Sequence, residues 1–178
     1  MNQKQLETLR KNNEESREFA RSCISAALNV LLKKDRLEDI TITRLCSVAG
    51  VSRVAFYRNY HKIEDVLVDK IILFAKRLAS NIGTDVYDNW LLIFKEVERE
   101  REQFEILVKL GYEHKIHDVF MSMLPENEDN RTIQMMWLSL FYSMTVKWIK
   151  DKWPKKAEDA ARIAYKYSKN LPLVTKME

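Results

Sequence analysis

The chain has 178 residues, of which 46% are apolar and 31% are charged, and a net charge of +4 at pH 7; this balance is typical of a soluble globular protein with one domain or two small helical halves. Two distant cysteines without CxxC spacing argue against a disulfide framework or a zinc finger, and they fit a reducing cytoplasm. The first residues lack the apolar core of a signal sequence, and the longest apolar stretch, Met135 to Val146, is well short of the ~18 residues that span a bilayer, so no membrane partner is expected.

Helices account for the whole of the predicted architecture. Only three glycines and three prolines interrupt the chain, and almost nothing alternates with the period of two that a half-buried strand requires. The sequence therefore predicts an all-α fold. Residues 1–14 are polar and are expected to form a flexible N-terminal arm. The first helix is predicted from about Glu15 to Lys34, with an apolar face made of Phe19, Cys23, Ala26, Ala27, Val30 and Leu31.

The segment from Thr41 to Tyr60 predicts two short helices joined by a tight turn. Thr41 is the expected N-cap of the first of them. Gly50 ends that helix, at a position where a left-handed backbone costs glycine less than a residue with a Cβ. Ser52 then offers the hydroxyl that an N-cap of the following helix needs. Together these features predict a helix-turn-helix.

The second helix of this motif separates core residues from exposed ones. Phe56 and Tyr60 have i, i+4 spacing and are expected in the core, whereas Arg53 and Tyr57 point outward. No acidic residue occurs over positions 41–62, although acids are plentiful on both sides. A helix that presents arginine and tyrosine without carboxylates favours contact with phosphates and base edges, so DNA binding is expected.

Residues 63–83 are predicted as a connecting helix, and residues 84–178 as a second helical domain. The further helices are expected near Thr84 to Phe94, Phe104 to Leu110, His114 to Leu124 and Arg131 to Lys152, and after Pro154.

Two segments of the second domain have unusual composition. The charged run at 95–102 fits a solvated face or a helix junction, and 125–130 is predicted as a loop. The helix that starts near Arg131 is apolar around much of its circumference, so it must be covered on more than one side.

The last two helices are interpreted as a dimerisation unit. The final helix carries alanines at i, i+3, i+4 and i+7, and small residues at this spacing let another helix approach closely. We expect a four-helix bundle across a two-fold axis; the alternative is that these helices complete the core of a single chain. The candidate interface residues are Leu140, Met144, Trp148, Ala157, Ala160, Ala161 and Ala164.

An effector site is expected among the aromatic residues and methionines of the second domain. Such side chains suit an adaptable cavity for a small apolar or aromatic molecule. For any single residue, a place in the core is the stronger competing interpretation. The candidates are Trp90, Phe94, Phe104, Leu107, Tyr112, Phe120, Met121, Trp137, Phe141 and Tyr142.

Catalytic and cofactor motifs are missing. There is no nucleophile elbow, phosphate loop, metalloprotease helix or cofactor fingerprint, so neither an enzyme nor a cofactor is expected. His114 and His117 stand at i and i+3 beside carboxylates, but a third metal ligand is lacking, so an exposed polar helix end is preferred and no metal site is predicted. Cys46 faces the buried side of its helix, which favours a structural role over redox sensing.

The segment from Cys23 to Asp69 resembles the N-terminal DNA-binding domain of the TetR family of bacterial transcriptional regulators. It covers roughly a quarter of the chain. The resemblance implies a helix-turn-helix domain over residues 15–62, a homodimer, a palindromic operator and repression that a small ligand relieves. The residues that carry it are, in order, Ile24-Ser25-Ala26-Ala27-Leu28, Ile42-Thr43-Arg44-Leu45-Cys46, the run from Ala49 to Tyr60, and Glu64-Asp65-Val66-Leu67.

The resemblance also implies roles for individual residues. Thr43 and Arg44 would approach the phosphate backbone, Arg53 and Val54 would reach base edges, and Tyr57 occupies the family's phosphate-binding position. The full implied set of DNA-binding residues is Thr43, Arg44, Ser52, Arg53, Val54, Ala55, Tyr57, Arg58, Asn59 and Lys62.

One position departs from the family pattern. Family members commonly place a lysine directly before the acidic residue that opens helix four, where a phosphate sits at the helix N-terminus. That position is Ile63 here, and Lys62 is expected to supply the contact instead.

Two functions therefore stay open at the level of sequence. The first is a sequence-specific DNA-binding homodimer that regulates transcription, most simply a repressor. The second is a TetR-fold coactivator or interaction module whose C-terminal domain binds a protein partner. Arg53 and Tyr57 favour the first function, and the departure at Ile63 leaves room for the second.

Overall fold

A computed structural model describes residues 2–124 and 128–171, with the side chains of 128–130 left out. Every regular element in this part of the chain is helical, which confirms the all-α prediction. A 3-10 turn, Leu37–Asp39, lies between the first two α-helices. The α-helices are α1 Gln3–Leu32, α2 Ile42–Ala49, α3 Arg53–Tyr57, α4 Ile63–Ala79, α5 Val86–Arg99, α6 Arg101–Lys109, α7 Glu113–Ser122, α8 Glu128–Lys150 and α9 Ala157–Ser168.

The chain divides between Lys70 and Ile71 into two compact units. This point falls within α4, inside the segment 63–83 that the sequence predicts as a connection. The charged run at 95–102 contains the junction between α5 and α6, as predicted. Of the predicted loop at 125–130, residues 125–127 lie outside the described residues, and α8 already begins at Glu128.

The prediction for the start of α1 was wrong. The helix begins at Gln3, and Asn2 and Gln5 form a reciprocal capping box, with each side chain accepting from the other residue's backbone N–H at 2.9 and 3.0 Å. The described residues up to Phe19 are exposed, and burial begins at Ala20. Good helix formers and a strong cap therefore extend the helix through a stretch that has no apolar face.

The predicted buried face of α1 was also displaced. Phe19 is 71% exposed and Val30 is 53% exposed, so neither belongs to the core. The buried face is instead Ala20, Ile24, Ala27, Leu28, Leu31 and Leu32. This set keeps the 3.6-residue period, but it is rotated by about one residue from the predicted one.

The helix-turn-helix packs α2 and α3 against α1. Phe56 is fully buried and Tyr60 is 5% exposed, which confirms both as core residues. Asp69 on α4 accepts hydrogen bonds from Arg21 on α1 and from the Tyr60 hydroxyl, the latter at 2.7 Å. Burial and the neighbouring Asp69 carboxylate raise the pKa of Tyr60 well above its usual value. These part-buried hydrogen bonds link the N-terminal half of α4 to α1.

In the second unit, α5 and α9 form the most extensive helix pair. The alanine row of α9, Ala157, Ala160, Ala161 and Ala164, is at most 7% exposed and lies inside the single chain. The Trp90 indole N–H donates to Ser168 Oγ at 2.7 Å, and the same hydroxyl donates to the Ala164 carbonyl at 2.8 Å. The small residues do permit a close helix approach, but the approaching helix is α5.

The alanine part of the predicted dimer interface was therefore wrong, because its side chains are already covered. Trp148 is also buried, at 5% exposure, with its ring edge-on to Phe94. Leu140 and Met144 are half-buried on α8. The apolar side chains of α8 and α9 that are exposed are Met135, Met136, Ile163 and Tyr167.

Candidate functional site

Local backbone chemistry fixes the geometry of the helix-turn-helix. Thr41 Oγ1 accepts from the Arg44 amide at 3.2 Å and caps α2. Gly50 has φ +67°, and a Val51 N–H to Cys46 carbonyl bond of 3.1 Å closes the turn. Ser52 Oγ accepts from the Ala55 amide at 3.1 Å and caps α3. Both predicted caps and the left-handed glycine are confirmed, so α3 has a well-defined starting direction.

The outer face of α3 is the most direct candidate for a nucleic-acid surface. Arg53, Val54, Tyr57 and Arg58 are all exposed, with Val54 at 61% and Tyr57 at 49%. The Tyr57 ring rests edge-on against buried Phe56, with ring centroids 5.5 Å apart. This contact orients the phenol while leaving its hydroxyl free to point outward.

Ala55 and Asn59 are less available than the sequence suggested. Both are half-buried, and the Asn59 side-chain N–H donates to the Ala55 carbonyl at 2.8 Å. The Asn59 amide therefore ties the end of α3 to its own first turn. Its Oδ1 is buried without a hydrogen-bond partner.

Arg44 lies in an ion pair that the sequence did not reveal. Its Nη2 donates to Asp35 Oδ2 at 2.8 Å, although positions 41–62 contain no acid of their own. Asp35 follows the end of α1, and its side chain reaches the exposed edge of α2. Arg44 can bind a phosphate only by leaving or sharing this carboxylate.

Ile63 and Lys62 differ in exposure at the start of α4. Ile63 is 8% exposed and belongs to the core, whereas the neighbouring Lys62 is exposed. Asp65 Oδ2 accepts from the backbone N–H groups of His61 and Lys62 at 2.9 and 3.0 Å. Only Lys62 can therefore present an ammonium group to solvent here, and two amides before the helix are already satisfied.

Arg17 is a further cation beside this surface that sequence reasoning missed. Its Nη2 lies 3.5 Å from the Arg58 carbonyl at the end of α3, and its side chain is 53% exposed. The missing signal is the long α1, which carries Arg17 to this position from outside the motif.

Cys46 belongs to the packing of this motif. It is 3% exposed, and burial raises the pKa of its thiol against a lowering effect of Arg53. A protonated, covered thiol fits the structural role that the sequence predicted.

A partly open cavity of about 490 Å³ lies within the second unit, lined by residues of α4 to α8 and the α4–α5 connection. Five of the ten predicted effector residues line it: Phe104, Phe120, Trp137, Phe141 and Tyr142. Trp90, Phe94 and Leu107 are buried, at 0–1% exposure, but they belong to the surrounding core. Tyr112 and Met121 are half-buried and do not line it.

The aromatic residues of the sequence do not indicate which polar residues lie in the cavity wall. Asn89 is engaged in two bonds to Gly83, with Oδ1 accepting from its N–H at 2.8 Å and Nδ2 donating to its carbonyl at 2.9 Å. Gln134 Oε1 and Thr145 Oγ1 are buried without hydrogen-bond partners. The signal available in sequence was their 11-residue spacing, which puts both on one face of α8.

No group of three metal-ligating side chains occurs among the described residues. His114 Nδ1 lies 2.9 Å from the Gly111 carbonyl, and His117 Nε2 lies 3.5 Å from Ser139 Oγ. Within the described residues, none of the helices has the length and apolar character needed to cross a membrane.

Comparison with known proteins gives structural matches alone: no family model matches the sequence, and no curated protein matches it. The chain is similar to NalD, the secondary repressor of the MexAB-OprM multidrug efflux pump in Pseudomonas aeruginosa, with a TM-score of 0.58 and 14% identity over 94% of this chain and 100% of NalD. It is also similar to a TetR transcriptional regulator from Rhodococcus sp. RHA1, with a TM-score of 0.54 and 14% identity over 90% of this chain and 99% of the other. The fold of the chain is therefore that of the TetR-family regulators.

Proposed function

We propose that the chain is a sequence-specific DNA-binding transcriptional regulator, a homodimeric repressor on a palindromic operator that a small ligand releases. The observation that carries this proposal is the outer face of α3, where Arg53, Val54, Tyr57 and Arg58 are exposed without an acidic neighbour in the motif. The fold shared with NalD and the Rhodococcus regulator supports it.

The first turn of α3 enters the major groove in this proposal. Arg53 is the first residue of the helix and is exposed, so its guanidinium can reach a guanine edge, which contributes about 1–3 kcal/mol of discrimination. Val54, the next residue, offers an apolar contact to a thymine methyl group. These two side chains supply the sequence preference.

Phosphate contacts position the motif on the duplex. Thr43 on α2, Tyr57 on α3 and Lys62 before α4 are all exposed around the same motif. Their contacts add affinity without sequence preference, and the lysine contact weakens as salt rises.

Dimerisation makes a short motif sufficient for operator binding. With five residues in α3, one copy makes few base contacts, so tight binding needs two copies that engage major grooves about 34 Å apart. The exposed apolar residues Met136 on α8 and Ile163 and Tyr167 on α9, with half-buried Leu140, support a dimer surface on these helices. This surface replaces the buried alanine row in the proposed interface.

A ligand in the cavity of the second unit gives release. If it binds better to a dimer with a different separation of the two DNA-binding motifs, it shifts the population away from the operator-binding state by its difference in affinity. The cavity volume of about 490 Å³ is within the ~300–1,000 Å³ of sites for drug-sized molecules.

The test is selection of bound DNA from a random pool by the purified chain at two salt concentrations. The expected result is a palindrome with half-sites about one helical turn apart, lost with Arg53→Ala. Arg99→Ala is the matched control. Arg99 is 60% exposed on α5, and its substitution removes the same charge from the second unit. Recovery of only salt-sensitive binding without a sequence would contradict the proposal.

One observation favours the second candidate, an interaction module that binds a protein partner. The Asp65 carboxylate already occupies two amides before α4, so the usual phosphate position is partly filled from within the chain. An Arg53→Ala, Tyr57→Ala double variant separates the two functions. Loss of operator binding and biological activity together, with folding retained, supports the regulator, and unchanged biological activity supports the interaction module.

A further inference from the structure

The wall of the cavity is almost entirely apolar and carries no fixed charge. Its described lining residues include no Asp, Glu, Lys or Arg, and its titratable members are His117 and Tyr142. Six aromatic rings line the cavity, from Phe74, Phe104, Phe120, Trp137, Phe141 and Tyr142. An anionic molecule would lose part of its hydration here without gaining a counter-ion, which weakens its binding.

Two polar atoms in this wall have no partner within the chain. Gln134 Oε1 and Thr145 Oγ1 are both buried and unbonded, and Thr145 as a residue is only 8% exposed. Buried polar atoms are nearly always hydrogen-bonded in folded proteins, so two exceptions in one cavity need an explanation. An occupant that bonds to them supplies it.

The positions of these two atoms follow from α8. Gln134 and Thr145 are 11 residues apart, which at 1.5 Å per residue places them about 16 Å apart along the same helix face. Trp137, Leu138, Phe141 and Tyr142 line the cavity between them. The site therefore has an apolar middle and a hydrogen-bonding position toward each end.

Two other polar side chains of the wall, those of Asn89 and His117, have partners within the chain. Asn89 makes its two bonds to Gly83, and His117 Nε2 lies beside Ser139 Oγ. Gln134 Oε1 accepts only, and the Thr145 hydroxyl accepts as well as donates. A ligand with one N–H or O–H donor can therefore bond to either atom, and a ligand with a donor at each end can bond to both.

We propose that this cavity binds a neutral aromatic molecule that carries a hydroxyl or amino N–H donor, and that Gln134 at one end of the site or Thr145 at the other accepts a hydrogen bond from this donor. The inference rests on the proposed function, because it names the chemical class of the ligand that releases the repressor. Anionic compounds are disfavoured in the same site, because no Lys or Arg is among its lining residues.

Three probes with one shared skeleton test the proposal on the full chain without DNA. N-phenyl-1-naphthylamine is neutral, has one N–H donor and becomes fluorescent in apolar sites. Its 8-sulfonate adds a charge, and phenyl 1-naphthyl ether lacks the donor. We expect the amine to bind once per chain, the ether, measured by competition, about 2- to 10-fold more weakly, and the sulfonate at least about 100-fold more weakly.

Variants assign the result to the cavity. Thr145→Val keeps the side-chain shape and Gln134→Leu removes the amide; together they should retain amine binding and abolish the preference for amine over ether. Leu138→Trp fills the cavity and should weaken all three probes, whereas Ser143→Ala, on an exposed position of α8 outside the lining, should change nothing. Thermal unfolding of each variant confirms that it is folded.

The proposal is overturned if the sulfonate binds as tightly as the amine, if Leu138→Trp leaves amine binding unchanged, or if the double variant keeps the preference. No amine binding at all also overturns it. Because the titrations use no DNA, an operator found without amine binding leaves the regulator standing and removes the ligand class. If the titrations give the expected results but no operator is found, the ligand class stands and the regulator proposal fails.

Discussion

The ion pair between Arg44 and Asp35 leads to a prediction in which a substitution strengthens DNA binding. Arg44 Nη2 lies 2.8 Å from Asp35 Oδ2, and the two side chains are 48% and 21% exposed. In the proposed complex Arg44 must leave this carboxylate, or share its guanidinium with it, to bind a phosphate. Asp35→Asn removes the competing charge, so we expect operator affinity to rise.

The size of the gain follows from the exposure of the pair. Partly exposed ion pairs contribute about 0.2–1 kcal/mol, which corresponds to about 1.4- to 5-fold in affinity at 25 °C. One additional phosphate contact would also steepen the dependence of log affinity on log salt by up to about 0.9. Both effects should be absent in an Arg44→Ala background, because no guanidinium is left to release.

Fluorescence anisotropy of the selected operator at four salt concentrations measures both quantities. Asp39→Asn is the matched control. Asp39 is an exposed acid four residues further along the chain, and its substitution removes the same charge. An equal gain from Asp39→Asn would assign the effect to net charge alone. A gain that persists without Arg44, or a loss of affinity, would refute the reasoning from this ion pair.

Three further predictions concern stability. Gly50→Ala should destabilise the chain by about 1–2 kcal/mol, because φ is +67° there, although a Cβ would meet no atom within 4 Å. Gly83→Ala is the control, since φ is not positive at Gly83, and it should cost less. Equal losses of stability in urea unfolding would contradict the backbone explanation. Ala161→Leu should lower the free energy of unfolding by about 1–3 kcal/mol, because it overpacks the fully buried contact between α5 and α9. Ile163→Ala, at an exposed position of α9, should leave the protomer folded and weaken dimerisation in sedimentation experiments. Because folding raises the pKa of Tyr60, its contribution to the free energy of unfolding is complete below the unfolded pKa of about 10 and is lost as pH rises above that value. Tyr60→Phe should remove this loss of stability from the pH profile of unfolding. A profile that still declines equally in the variant would assign the loss to other groups.

The helix-turn-helix could be predicted because its signals are local. The cap at Thr41, the left-handed turn at Gly50 and the cap at Ser52 each act over a few residues of chain. The core positions of Phe56 and Tyr60 follow from one i, i+4 pair. None of these features needs knowledge of what packs from elsewhere.

The features that the sequence did not predict depend on tertiary contacts or on weak local preferences. The ion pair of Arg44 joins side chains across the α1–α2 connection, and Arg17 reaches α3 from 41 residues away. The early start of α1 results from a cap at Asn2 in a stretch with no apolar period. Hydrophobic periodicity alone indicates neither kind of feature.

Sequence spacing also does not identify which aromatic residues of the second unit line the cavity. Trp90 and Phe120 have the same composition signal, yet Trp90 is covered completely and Phe120 lines the cavity. Whether a buried ring meets protein or empty space depends on how five helices meet, not on the spacing within one. The alanine row of α9 was misassigned for a related reason, because small residues indicate a close neighbour without identifying it.

The bond between Trp90 and Ser168 also bears on how the chain is made. The two residues are 78 positions apart. At the ~5–20 residues per second of protein synthesis, α5 waits about 4–16 s for its partner α9 to be completed. During that interval the tryptophan face of α5 is uncovered, so the growing chain is open to aggregation and to chaperones. Messages that lack codons for α9 should therefore yield protein that collects in inclusion bodies, even though the helix-turn-helix is already complete.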